Sequence, residues 1–83
     1  MKSTNPLLMP ALLFAERQQR GLSQKTVAVA AELNQSTLCA FEKGRRLPPG
    51  PDVMSRLVSA LGMGPEEAEQ LSWAARHDQL INQ

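Results

Sequence analysis

The stretch SQKTVAVAAELNQSTLCAFEKGRR, Ser23 to Arg46, decides the fold of this 83-residue chain. Two short amphipathic segments flank a few polar residues, and the second ends in glycine and two arginines. Ser23 is a good N-cap, because its hydroxyl can accept from an amide two or three residues on. Val27, Ala28 and Ala31 then repeat at helical spacing. The segment is expected to end at Glu32-Leu33, with Asn34 capping the next helix. In that helix Leu38 and Phe41 point one way, while Gln35, Ser36, Cys39 and Ala40 point largely the other. Gly44 supplies the stop. Helices this short are marginal in water, so neither stands without the other. Two of them within about twenty residues, joined by a tight turn, have the proportions of a helix-turn-helix.

The flanks read as further helices. Asn5-Pro6 and Pro10 make residues 1–9 an irregular arm. Pro10 suits the first turn of a helix that runs to about Gln19 and stops at Gly21. RRLPPGP, Arg45 to Pro51, cannot continue a helix and is a rigid loop. Asp52 is expected to cap a fourth helix with Val53, Met54, Leu57, Val58 and Leu61 apolar and Gly62 as its stop. Gly64-Pro65-Glu66-Glu67 starts a fifth, with proline first and acids facing the positive dipole end, running to about Leu80. No repeat, low-complexity run or alternating strand is present. The expectation is an all-α, compact five-helix bundle in a single domain of residues 1–83, with residues 1–9 as an arm and residues 65–81 as a C-terminal helix for dimerisation.

Composition narrows the function. A chain this short buries only about 60–65% of its unfolded surface, so packing or self-association must supply stability. One cysteine allows no internal disulfide, and one cysteine with one histidine makes no structural zinc site, so neither metal nor cofactor is expected. No apolar run approaches the ~20 residues of a membrane span, so a cytoplasmic protein is expected. The net charge of +1 hides an asymmetry. Arg17, Arg20, Lys25, Lys43, Arg45, Arg46 and Arg56 outnumber Glu32, Glu42 and Asp52 between residues 17 and 56, whereas Arg76 faces Glu66, Glu67, Glu69 and Asp78 beyond. A basic body with an acidic tail points to a polyanion as partner of the body. A protruding helix fits the major groove of B-DNA, about 12 Å wide, and small or amide-bearing outward residues allow close approach to base edges.

RQQRGLSQKTVAVAAELNQSTLCAFEKGRRLP resembles the phage-repressor and Cro type of helix-turn-helix, the XRE family. The likeness spans about Leu13 to Leu61. It includes Arg17, Gly21-Leu22-Ser23-Gln24, Ala28, Leu38, Phe41-Glu42 and Lys43-Gly44-Arg45-Arg46, then a proline and a fourth helix ending Leu61-Gly62. The resemblance implies a lambda-repressor-like fold that binds double-stranded DNA. It implies that Gln24 touches a phosphate, that Gln35, Ser36 and the site of Ala40 read bases, and that Lys43, Arg45 and Arg46 contact the backbone. Lys25 and Asn34 join the phosphate set, and Cys39 the base-facing set. Arg17 and Glu42 match a pair that bridges the first and third helices. One departure stands out: the family usually has glycine where this chain has Glu32. A left-handed non-glycine residue costs about 1–2 kcal/mol. Either Glu32 adopts that conformation or the turn differs.

The reading is therefore a sequence-specific DNA-binding regulator, a dimeric repressor acting on a palindromic operator. The alternative is an antitoxin or interaction module that binds a protein partner and autoregulates its operon. No Ser-His-Asp or Cys-His set and no phosphate loop speaks for an enzyme. In the fifth helix, Ala68, Leu71 and Ala75 share a core-facing side. Trp73, His77 and Leu80 lie on another, with Ala74 and Ile81 alongside, and mark the expected dimer interface. Trp73 folded back onto the first helix is the competing possibility.

Overall fold

The computed structural model describes residues 7–81. These form α1 (Met9–Gln19), α2 (Gln24–Ala30), α3 (Gln35–Glu42), α4 (Pro51–Leu61) and α5 (Pro65–Ile81), and no strand occurs among the described residues. The five-helix expectation thus holds. α1 packs on α3 and α5, and α2 packs on α3 and α4. One apolar core joins them: Leu13 from α1, Val27 and Ala28 from α2, Leu38 and Phe41 from α3, Met54, Leu57 and Leu61 from α4, and Leu71 and Ala75 from α5. In α3, α4 and α5 these residues recur three or four apart, so each of those helices turns one stripe inward.

The helix ends are set by local chemistry. Ser23 caps α2, its hydroxyl accepting from the Thr26 amide at 3.0 Å. α1 and α3 stop at left-handed Gly21 and Gly44, where the Leu22 amide donates back to Arg17 O and the Arg45 amide to Ala40 O. Those bonds satisfy carbonyls that a helix end otherwise leaves open. α2 stops in the same pattern without a glycine. Glu32 sits at φ 59°, and the Leu33 amide donates to Ala28 O at 2.8 Å. So Glu32 does take the left-handed conformation, and α2 ends two residues earlier than its sequence pattern implied. The strain of about 1–2 kcal/mol is held by the turn's hydrogen bonds and by the burial of Ala31.

Three expectations need correction. Asp52 does not cap α4; the N-cap is Gly50, with Pro51 first in the helix and Asp52 in its first turn. Proline's fixed φ and missing N–H place it naturally at that first position. Met9 does not belong to an irregular arm, although Leu7 and Leu8 before it lie outside the helix. Met9 is buried and begins α1, and Leu7 and Leu8 are half-buried. The cause lies far along the chain: Asp78, 0% exposed, accepts from the Leu8 amide at 2.7 Å and from the Met9 amide at 2.8 Å. A carboxylate from α5 thereby serves the amides that α1 leaves open. The rest of the expected arm, residues 1–6, lies outside the described residues. Finally, Ala74 does not accompany Trp73 outward; it is 2% exposed and belongs to the core.

Candidate nucleic-acid interface

α3 is fixed from beneath by charge. Arg17 of α1 is buried and reaches three acceptors. Its Nε donates to Glu42 Oε2 at 2.6 Å, one terminal nitrogen to Glu42 Oε1 at 3.1 Å, and the other to Leu22 O at 2.8 Å. Gln24 Nε2 donates to Glu42 Oε1 at 3.0 Å from the start of α2. The carboxylate that ends α3 is therefore held by both preceding helices. Burial of a charge is tolerable only with such full pairing. The Phe14 ring lies 5.4 Å from the Arg17 guanidinium and covers its other side. Arg17 and Glu42 are thus paired as expected, and they set how α3 sits on α1.

With its inner face anchored by Leu38 and Phe41, α3 presents its start to solvent. Gln35 and Ser36 are exposed, and Asn34 is exposed with no amide bonded to its side chain. Cys39 and Ala40 are half-buried, so the outward face is widest in the first turn and recedes along the helix. On either side of the stop at Gly44, Lys43, Arg45 and Arg46 are exposed, and none pairs with a carboxylate among the described residues. Arg46 rests its guanidinium over the Phe41 ring at 5.4 Å, which directs it along the end of α3. Lys25 is exposed on α2, whereas Gln24 is half-buried and held in place by Glu42. Of the residues expected near phosphates all but Gln24 are thus exposed, and of those expected near bases Gln35 and Ser36 are exposed while Cys39 and Ala40 are half-buried. The Gln24–Glu42 bond was not legible beforehand, because its geometry exists only once α1, α2 and α3 meet.

A second feature lies behind this face. Arg20 at the end of α1 bonds Glu16 and, at 2.9 Å, Glu67 of α5. The Gly64 amide foremost, and then Arg20, hold the Glu67 carboxyl below the usual carboxylate range, against the opposing effect of partial burial. This network ties the start of α5 to the end of α1.

Of the expected interface residues, Trp73 and Leu80 are 55% and 65% exposed, and Ile81 and His77 are half-buried. Trp73 stacks on His77 with ring centroids 5.5 Å apart, and His77 Nδ1 lies 3.1 Å from Asp78 Oδ1. Trp73 is therefore not core. One side of it borders an open cleft of about 510 Å³ whose other wall is Leu8 with Ala11 and Leu12 of α1. The contribution of Leu8 was missed because residues 7–9 read as arm, although it stands just before α1 and lines the cleft with Ala11 and Leu12. Among the described residues no helix is long and apolar enough to cross a membrane, and no three His, Cys, Asp or Glu side chains group as a metal site.

The family model described as helix-turn-helix domain matches residues 11–71. Among solved structures, the restriction-modification controller protein C.AhdI from Aeromonas hydrophila is similar to this chain. It shows 30% sequence identity and a TM-score of 0.65, over 72% of this chain and 89% of that one. No curated protein sequence matches. The matched span contains α2 and α3 whole, together with the Arg17–Glu42 pair and the basic group around Gly44. The chain belongs to the helix-turn-helix family of DNA-binding regulators, in its phage-repressor and Cro (XRE) form.

Proposed function

We propose that this protein is a dimeric transcriptional repressor that reads a palindromic operator through α3. The single observation that carries the reading is the division of labour along α3. Gln35 and Ser36 stand exposed in its first turn, its inner face is locked into the core, and Lys43, Arg45 and Arg46 stand unpaired just past its end. A glutamine can donate to and accept from the edge of adenine at once, and a serine can contact several bases. Lysine and arginine beside them meet phosphates, which fix register without reading sequence. The body measures 38 Å in its longest dimension and carries one α3. Two recognition helices about 34 Å apart, as a two-fold operator requires, therefore call for two copies. Exposed Trp73 and Leu80 offer the surface through which they meet. Likeness to a restriction-modification controller favours an autoregulated controller over other kinds of repressor.

Selection of bound duplexes from a random pool, at one stated salt concentration, tests this directly. The expected outcome is a pair of inverted half-sites with centres one helical turn, about 10–10.5 base pairs, or a multiple of it apart. An unenriched pool sinks sequence-specific reading, and a single half-site sinks the dimer. Gln35→Ala is expected to lose about 1–3 kcal/mol at one base position and to relax preference there. Equal weakening on every sequence removes Gln35 from the base-reading set.

A further inference from the structure

We propose that α5 pairs antiparallel with α5 of a second copy, in a register set by Glu69 of each chain meeting Arg76 of the other. The proposal rests on the two-fold regulator inferred above and specifies how its copies join. Glu66, Glu69, Trp73, Arg76 and Leu80 recur at alternating intervals of three and four, and all five are exposed. They form one stripe along the outer side of α5, opposite Leu71, Ala75 and Asp78, which face the core. The stripe is apolar at Trp73 and Leu80, acidic towards the start of the helix and basic at Arg76. Neither Glu69 nor Arg76 has an ion pair or hydrogen bond within the described chain. They stand seven residues apart, about 10 Å along the axis, so one helix cannot pair them with each other.

A two-fold axis beside Trp73 resolves both properties at once. With the helices antiparallel, the two tryptophans lie together at the axis and cover each other's exposed rings. Each acidic half then lies on the partner's basic half, giving two Glu69–Arg76 pairs, one on either side. Parallel helices would instead set Glu69 against Glu69 and Arg76 against Arg76. Charge complementarity therefore selects a second copy of this chain, in one orientation, as the occupant of the stripe.

Charge reversal in the full chain, read by sedimentation without DNA, tests the register. Glu69→Arg places two Arg–Arg contacts in the dimer, and Arg76→Glu places two Glu–Glu contacts. Each variant alone is expected to dimerise about 10- to 100-fold more weakly than the unchanged chain. Mixed together, the two variants complement at both contacts, so a heterodimer as tight as the original dimer is expected. Should either variant lose its helical circular dichroism, the double reversal E69R/R76E decides, and it is expected to dimerise like the unchanged chain. The proposal is overturned by an unchanged chain that is monomeric, by single variants that dimerise normally, or by a mixture or double reversal that stays apart. Because no DNA enters these measurements, failure of the operator reading would show separately, in the selected duplex pool.

Discussion

Arg17 and Arg45 carry the same guanidinium and lie at the two edges of one motif, yet their surroundings give them opposite tasks. Arg17 is buried, bonded to Glu42 and Leu22 O, and roofed by Phe14. Arg45 is exposed beyond the stop at Gly44 and pairs with no carboxylate among the described residues. In the interior every donor must be satisfied, so the buried charge is absorbed into holding helices together. At the surface water serves the unpaired charge until a polyanion displaces it, and release of counterions then drives binding. Net charge alone conceals this division. The basic excess of residues 17–56 contains one arginine that no DNA phosphate can reach, and the accessible excess sits at one end of α3.

The sharpest way to break the comparison is to make the inner charge lonely. Arg17→Met leaves Glu42 buried with Gln24 as its remaining partner, and a loss of about 3–5 kcal/mol is expected from urea unfolding. Replacing both partners, R17M/E42L, should recover most of that loss, since apolar groups of similar volume suit the interior. A single variant as stable as the original would mean the pair does not hold α3.

The outer charges should behave in reverse. Arg45→Ala with Arg46→Ala should leave urea unfolding within about 0.5 kcal/mol and weaken binding to every duplex. Each phosphate that no longer meets an arginine should make the slope of log K against log salt shallower by about 0.9. An unchanged slope would show that these arginines meet solvent only. Glu32 sharpens the contrast further, as an exposed carboxylate 3.8 Å from Arg56 on a left-handed residue. If surface charge contributes little, Glu32→Gly should raise stability by about 0.5–1 kcal/mol, as backbone relief outweighs the added freedom of the unfolded chain. A loss of stability would credit the Glu32–Arg56 contact instead.

Glu67 lies between the two extremes, and its effect is the smallest. Its carboxyl is held below the usual range, so it ionises more readily folded than unfolded. Its contribution is complete above the unfolded carboxylate range and fades as pH falls through the lowered folded value. Comparing Glu67→Gln with the unchanged chain between pH 7 and pH 3 should therefore show two stability curves that converge on acidification. Parallel curves would remove Glu67 from the acid response.

What could be read from the sequence follows the range of the interaction. Ser23 reaches Thr26 three residues away, and Gly21, Gly44 and Gly62 close their own helix ends, so these features are visible in a short window. The outward placement of Gln35 and Ser36 follows from the buried period of Leu38 and Phe41 in the same helix. The half-burial of Cys39 and Ala40 does not, because it depends on what lies beside α3. By sequence, Asp78 is one more acid in a solvated tail. Its role needs Leu8 and Met9, about seventy residues earlier, and no local pattern announces a partner at that distance. The same blindness makes Met9 read as part of an arm and keeps Leu8 and α1 out of the cleft beside Trp73.

The bonds from Asp78 to Leu8 and Met9 also order events in time. Synthesis proceeds from the N-terminus, so the pair α2 and α3 leaves the ribosome while Asp78 is still unmade or enclosed. For that interval the first amides of α1 have only water to bond. The contact spans about seventy residues, so closing it carries a large loop entropy. Only the arrival of Asp78 gives the Leu8 and Met9 amides their partner. The helix that carries Trp73 outward is the one that fastens the first helix at its start.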